Sequence, residues 1–525
     1  MVYNQYMLAR LCCASLRGLD AEAVDVEVDL SRGLPSWSLV GLPEGAVREA
    51  RDRIRSAVVN SGFEFPLRRI TVNLSPADRR KDGSHFDLSI AIALLKASGQ
   101  LFEQPQLPLL AGKKRETQSR DNPFLIGELA LDGRLNPVNG VLSLALFARQ
   151  QGYNTIILPE GNCHEAAAVE GLTVLAAEHL LAVAEHIAGK QPLQTGTMQI
   201  ELGEDRQKEP DMADIRGQHQ ARRALEIAAA GGHHLLMSGP PGVGKSMLAK
   251  RLPGILPPLT MEQALEVTRI YSVSGDNARA PMSRRPPLRQ PHHSASDVAI
   301  IGGGSNPKPG EISKANYGIL FLDELAEHKR VVLDTLRQPL EDGHVCIARA
   351  ADTVEYPARF QLIAAMNPCP CGYLGHPIKP CRCSPSQIRR YMGRISGPLL
   401  DRFDLRIHVP PVEHQELSRM HPGESSATVA ARVLRARDMQ YRRLGNGEVN
   451  ARMDSSGIEC HARPDAEGAR LVDKAMNHFS LSARSYHRIL KIARTIADLA
   501  NSDEVNATHV AEALQYRGED LLNMP

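Results

Sequence analysis

His233–His234–Leu235–Leu236–Met237–Ser238–Gly239–Pro240–Pro241–Gly242–Val243–Gly244–Lys245–Ser246 places an apolar run directly before a glycine-rich turn and a lysine–serine pair. The order predicts a buried strand, a loop and the start of a helix, the context in which a G-x-x-x-x-G-K-[ST] pattern carries meaning. Glycine lets the backbone curl until consecutive N–H groups face inward, where they and a helix N-terminus cradle phosphate oxygens. Gly239, Pro240, Pro241, Gly242, Val243 and Gly244 would form that cradle. Lys245 would reach the β- and γ-phosphates, and Ser246 would hold Mg²⁺.

A second stretch fits the first. Gly318–Ile319–Leu320–Phe321–Leu322–Asp323–Glu324 reads as a fully buried parallel strand that ends in two acids. A metal-bound nucleotide needs a carboxylate beside the ion and a base for the attacking water, and Asp323 and Glu324 supply these in that order. Strand, loop and helix, followed by strand and acidic pair, imply a nucleoside triphosphatase with ATP and Mg²⁺ as its cofactors.

At 525 residues, two or three domains are expected. Hydrophobic content of 42% and charged content of 23% describe an ordinary globular chain. A formal charge of only +2 means that nucleic-acid binding must come from local patches rather than a global field. No apolar run approaches the roughly 18 residues of a membrane span, and no export signal opens the chain, so a cytoplasmic location is expected. Nine cysteines in such a compartment argue for thiols or metal ligands rather than disulfides.

From residue 1 to about 188 short strands and helices alternate. Val24–Leu30, Ile70–Leu74, Ile126–Leu131, Thr155–Leu158 and Leu172–Leu175 read as strands, and Glu44–Ser61, Leu88–Ala97 and Leu142–Gln151 as helices. Lys113, Lys114 and Arg115 read as an exposed basic loop. The segments Arg80–Asp87 and Gly127–Val138 look like two parts of the Lon protease domain, where the first carries a nucleophilic serine and the second a lysine base. Matched residue by residue, His85 falls at the serine position and Leu142 at the lysine position, with Ser84 one place early. A serine without a base is a poor nucleophile, so the expectation is a protease-like fold without peptidase activity. Residues 189–210 read as a linker.

Asp214–Ile215–Arg216–Gly217–Gln218 precedes a helical run, Ala221–Ala230. By resemblance to AAA+ proteins, Ile215 would pack on the adenine. The long segment between the two phosphate motifs resembles the magnesium-chelatase branch of that superfamily, in which inserted loops line the pore of a ring. Arg284, Arg285, Arg289 and Lys308 are candidates to meet a polyanion there, and a solvated basic loop is the plainer alternative. His292 and His293 have no acid or cysteine nearby in sequence to complete a metal site. Val345–Ile347 and Thr353–Tyr356 read as a hairpin with Arg349 near its tip, a second candidate contact. Phe360–Met366 reads as a strand ending at Asn367, which the resemblance makes the residue that orients the attacking water.

Cys369–Pro370–Cys371 and Cys381–Arg382–Cys383 form a C-x-C…C-x-C set. Four thiolates so placed can close the tetrahedral site that zinc favours, with no position left open, which implies a structural role. Reduced free thiols or a redox cluster are the alternatives. Lys379, Arg382, Arg389 and Arg390 make this knuckle basic and its contact with DNA plausible. Farther on, Gly393–Asp404 matches the AAA+ segment that lends an arginine to the neighbouring subunit's nucleotide. Arg402 is the candidate finger, and an ion pair with Asp401 or Asp404 is the alternative. An arginine acting in trans implies a ring, most often a hexamer in this superfamily. Arg484, near the start of a helix capped by Ser482, matches the second AAA+ sensor, which touches the γ-phosphate.

Taken end to end, the chain resembles the ComM/YifB family of magnesium chelatase-like AAA+ proteins. The resemblance implies an α/β architecture. A Lon-protease-like (ribosomal S5 domain 2-like) domain would span 1–188, and an AAA+ core 211–410 would carry the zinc knuckle at 369–383. A helical lid would span 411–525. It further implies a cytoplasmic homo-hexamer with ATP at its subunit interfaces. Such a ring would move branched and single-stranded DNA from a recombinase in natural transformation. The competing expectations are a chelatase-type motor that remodels a protein partner and an ATP-dependent protease.

Overall fold

The computed structural model describes residues 8–101, 122–197, 210–276, 282–304, 307–348, 353–411, 423–445, 447–479 and 482–517, and the backbone of 200–201. Lys113–Arg115, Arg349 and much of the 189–210 linker lie outside the described residues. The chain forms two compact units, Met1–Leu202 with Ala264–Ser283, and Gly203–Gln263 with Arg284–Pro525.

In the first unit a four-stranded sheet runs in the order Leu8–Arg17, Asp20–Ser31, Arg69–Ser75, Ser36–Val40. Val24, Val26, Val28 and Leu30 alternate onto its buried face, the period-two pattern of a strand covered on one side. Helices Ala50–Asn60 and Asp87–Ala97 supply Ile54, Val58, Leu88 and Ile92 to the same core. A second sheet pairs Thr155–Pro159 in parallel with both Thr173–Ala177 and Phe124–Leu125. Helix Val141–Gln150 packs into the core of that sheet, where Leu142 is fully buried.

The expected strand Ile126–Leu131 is interrupted. Phe124–Leu125 and Glu128–Leu129 are separate strands, because Gly127 turns its backbone toward another segment. Its N–H donates to His85 O at 3.1 Å and its carbonyl accepts from Leu88 N at 3.1 Å. A Cβ there would lie 2.4 Å from Leu135 Cδ2, so a side chain at this position would displace the Leu135 tip. Residues 264–283 belong to this unit although the chain on either side belongs to the other. Arg269 anchors them, donating to Leu19 O at 2.7 Å and Asp20 Oδ1 at 2.9 Å.

The second unit is built on a five-stranded parallel sheet in the order Leu288–Arg289, Ile319–Leu322, Gln361–Met366, Leu235–Ser238, Leu405–His408. Its three central strands are wholly buried, the near-continuous apolar pattern of a parallel sheet covered on both faces. Helix His219–Gly231 leads into the loop strand and ends at Gly232, whose φ of +72° gives the left-handed exit that glycine favours. Helices Ser426–Leu444, Ala466–Phe479, Ala483–Leu499 and Ala507–Gln515 share the core of this sheet. One buried polar link crosses that core. His233 meets Asp404 Oδ2 at 3.1 Å through Nδ1 and Thr495 Oγ1 at 2.8 Å through Nε2.

Candidate functional site

Ligands in open parallel sheets bind outside the carboxyl ends of the strands, and the predicted residues gather there. Leu235–Ser238 runs into the glycine loop. Gly239 has no room for a side chain, since a Cβ would lie 2.4 Å from Val409 O. Gly242 and Gly244 take φ of +82° and +89°, so the loop curls as glycine permits. A short helix, Lys245–Ala249, follows. Gln218 pins the loop from behind, with Nε2 donating to Val243 O at 2.8 Å. Ile215 is fully buried just upstream.

Lys245 Nζ donates to Gly239 O at 2.7 Å, Pro240 O at 2.8 Å and Asn367 Oδ1 at 3.1 Å. Burial pushes its ammonium down to about 8, against the pull of Asp323 and Glu324. Ser246 Oγ donates to Asp323 Oδ2 at 2.5 Å, and Glu324 N donates to Asp323 Oδ1 at 2.9 Å. Four residues from three distant segments (Lys245 and Ser246, Asp323, and Asn367) therefore meet at the ends of neighbouring strands. A hydroxyl and a carboxylate side by side suit a magnesium–phosphate complex, and a lysine resting on carbonyls can exchange them for phosphate oxygens.

Glu324 projects beside this cluster, half exposed, from a left-handed backbone (φ +51°). His293 Nδ1 lies 3.1 Å from its Oε2. Spacing in sequence offered His293 no acid; the fold brings one from the next strand. His292 lies tilted against His293 with ring centroids 4.1 Å apart, and His328 Nε2 lies 3.2 Å from Asp323 O. No local pattern could have revealed this histidine group, because its members converge only through the sheet order.

Arg402 is mostly buried and pairs with Glu341 rather than with Asp401 or Asp404. Its Nε has no hydrogen-bond partner among the described residues. Asp401 instead faces Arg488 at 3.6 Å and Arg406 at 3.8 Å, and Asp404 takes His233. Burial lowers the Arg402 guanidinium, and the nearby charges of Arg484, Arg337 and Arg488 lower it further. Arg484 is exposed, second in the helix that Ser482 caps.

The four cysteines converge. All four sulfurs lie within 4.8 Å of one another, with Cys369–Cys371 at 3.4 Å, Cys369–Cys381 at 3.6 Å and Cys371–Cys381 at 3.6 Å. A tetrahedral zinc with Zn–S of about 2.3 Å has S–S edges of about 3.8 Å, so the donor set fits that ion with little adjustment. A backbone N–H from Tyr373 draws the Cys371 thiol down to about 6. Cys383 completes the set, and the next helix, Pro385–Met392, opens on a capping box between Ser384 and Gln387.

The basic candidates divide. Lys308 and Arg382 are exposed, and exposed Lys379 sits over the Tyr373 ring. Arg284 also reaches the surface but donates to Leu259 O at 2.8 Å. Arg285 is half-buried. Arg289 is drawn into the fold, bound to both oxygens of Glu311 at 2.6 and 2.7 Å.

In the first unit Ser84 donates to Glu128, whose other oxygen accepts from Asn136 at 3.1 Å. His85 is buried, with Nε2 2.8 Å from Ala14 O, and burial pushes its imidazole down to about 4.

A glycine loop closing on lysine and serine, faced by an acidic pair and an asparagine on adjacent parallel strands, defines an AAA+ ATPase. Comparison with known proteins narrows this. Residues 211–417 match the family described as magnesium chelatase, subunit ChlI. Residues 26–162 match subunit ChlI of Mg-chelatase, and 423–517 match the ChlI C-terminal family. The chain is 46% identical to the uncharacterized protein YifB of Escherichia coli (strain K12), over 96% of each chain. It is 45% identical to the competence protein ComM of Haemophilus influenzae, over 95% of each. Lon protease 1 of Bacillus subtilis is 29% identical over 31% of this chain and 21% of that protein. The chain belongs to the ComM/YifB family of magnesium chelatase-like AAA+ ATPases. Among the described residues, no helix is long and apolar enough to cross a membrane.

Proposed function

We propose that the protein is an ATP-driven, ring-forming DNA motor that promotes branch migration of recombination intermediates during natural transformation. In this reading the loop Gly239–Ser246 holds the phosphates. Ser246 and Asp323 hold Mg²⁺, Glu324 activates water, and Asn367 orients it. Arg402 leaves Glu341 to reach the neighbouring protomer's nucleotide, and Arg484 reaches the γ-phosphate from a helical lid. The N-terminal domain is Lon-like and without peptidase activity. Zinc closes the four-cysteine knuckle as a structural ion. Lys308, Lys379, Arg382, Arg284, Arg285 and Arg349 are the proposed DNA contacts, with Arg289 only if it exchanges Glu311 for phosphate. The ring works in the cytoplasm.

The observation that carries the motor is the meeting of Lys245, Ser246, Asp323 and Asn367 at one end of the sheet. The turn to DNA rests on the near full-length similarity to a competence protein. A second reading has its own support, because all three matched families are described by the magnesium-chelatase subunit. Under it the ring remodels a protein partner. A branched-DNA assay separates the two. The DNA motor requires salt-sensitive binding and ATP-dependent movement of the junction. ATP hydrolysis that ignores DNA and rises with a protein partner favours the second reading.

A further inference from the structure

The segment from Asn367 to Gly372 belongs to two sites at once. Asn367 Oδ1 accepts from Lys245 at 3.1 Å, so it bounds the phosphate cradle. Two residues on, fully buried Cys369 supplies one sulfur of the metal-ligand set, and Cys371 supplies the next. Gly372 N donates to Cys369 O at 2.9 Å and closes the turn. That turn presses on the phosphate loop. Gly372 has φ +82°, and a Cβ there would stand 2.6 Å from Pro241 Cδ and 3.2 Å from Cγ. One residue before Asn367, Met366 O accepts from Gly239 N at 3.3 Å. The phosphate loop is thus held between its own strand and a wall made by the cysteine turn.

We propose that the cysteine turn is a positioning element for the phosphate loop, so that zinc in the four-cysteine site sets how tightly the loop holds ATP. The proposal rests on the reading of these two sites given above. The physical reason is conformational entropy. A closed tetrahedral site fixes Cys369 and Cys371, and with them the wall behind Pro241. When the ion is gone, the turn keeps its backbone bond from Gly372 N to Cys369 O but loses the metal bonds that tie Cys369 and Cys371 to Cys381 and Cys383. Nucleotide must then order both turn and loop, and the ordering cost is taken from its affinity. Gly372 is the second half of the device, since a side chain there would meet Pro241 while removing none of the four sulfurs.

The test measures affinity for a fluorescent ATP analogue with Mg²⁺, using the full chain. Zinc content and nucleotide binding of the untreated protein come first. Absence of stoichiometric zinc overturns the metal site, and absence of nucleotide binding overturns the ATP site. With both present, stripping the metal with a chelator and restoring Mg²⁺ should weaken nucleotide binding roughly tenfold or more, the scale of re-ordering about one residue of backbone. Zinc addition should restore it. Gly372→Ala should keep zinc yet bind nucleotide more weakly, and Pro241→Ala in that background should recover part of the loss. The proposal is overturned if the stripped chain, still folded by circular dichroism, binds nucleotide as the untreated chain does.

Discussion

At Gly83–Ser84 in the first unit and Gly244–Lys245 in the second, a glycine with φ of +108° and +89° turns the chain into a helical segment. The polar groups that follow have different fates. Ser84 is held by Glu128 and His85 by Ala14 O, and the residue at the base position, Leu142, is buried among apolar side chains. All of these partners are fixed parts of the fold. Lys245 instead rests on carbonyls of its own loop, and Glu324 is half exposed beside it. Such partners are exchangeable: a phosphate or a water can take their place. What marks a site is which partners its polar groups can release, more than which residues a turn carries.

The largest expected effects test the exchangeable side. Lys245→Ala should abolish nucleotide binding. Glu324→Gln should retain it and lower turnover by about 10³-fold or more, a typical loss for a missing catalytic group in phosphoryl transfer. Binding and single-turnover assays separate these two outcomes. Wild-type turnover in Glu324→Gln would remove the base from the account. Arg402→Ala should still assemble but lose roughly 10³-fold in hydrolysis, the low end of the range for a missing arginine finger. Size-exclusion chromatography with ATP hydrolysis reads both properties.

Smaller effects sharpen the sealed side. Glu165 is buried, with Asn162 Nδ2 donating to it at 2.8 Å, and burial raises its carboxyl from 4.5 to about 7. A raised carboxyl binds its proton more tightly in the folded chain. Its stability contribution is therefore full below about pH 4.5 and lost as pH rises through about 7. Relative to Glu165→Gln, the wild type should lose on the order of 2 kcal/mol between pH 5 and pH 8 in urea melts. Equal pH slopes would show that this carboxyl is not desolvated. Smallest of all, Ser84→Ala should leave ATP hydrolysis unchanged, and neither form should cleave peptides. ATP-dependent cleavage lost in Ser84→Ala would reverse the comparison.

Much of the second unit was legible because its signals are local. Apolar runs named the buried strands at Leu235, Ile319 and Gln361, and loop spacing placed Lys245 and Ser246. The C-x-C pairs marked the sulfur cluster. What escaped depends on sheet order, which one sequence does not display. Glu341 beside Arg402, His293 against Glu324, and Gly372 against Pro241 each join segments that become neighbours only after folding. Gly127 broke an expected strand because its backbone serves the serine turn, a tertiary demand that overrides local pattern. The excursion of residues 264–283 into the first unit had no cue either, since its helix looks like any amphipathic segment.

The proposed motor requires that two protomers share each ATP, one holding the phosphates and the other lending Arg402. Mixing the Lys245→Ala and Arg402→Ala chains tests it directly, because a mixed ring contains interfaces where an intact loop faces an intact arginine. Two inactive proteins should hydrolyse ATP once mixed. A mixed assembly, verified by tagged co-purification, that hydrolyses no more than its separate components would contradict it.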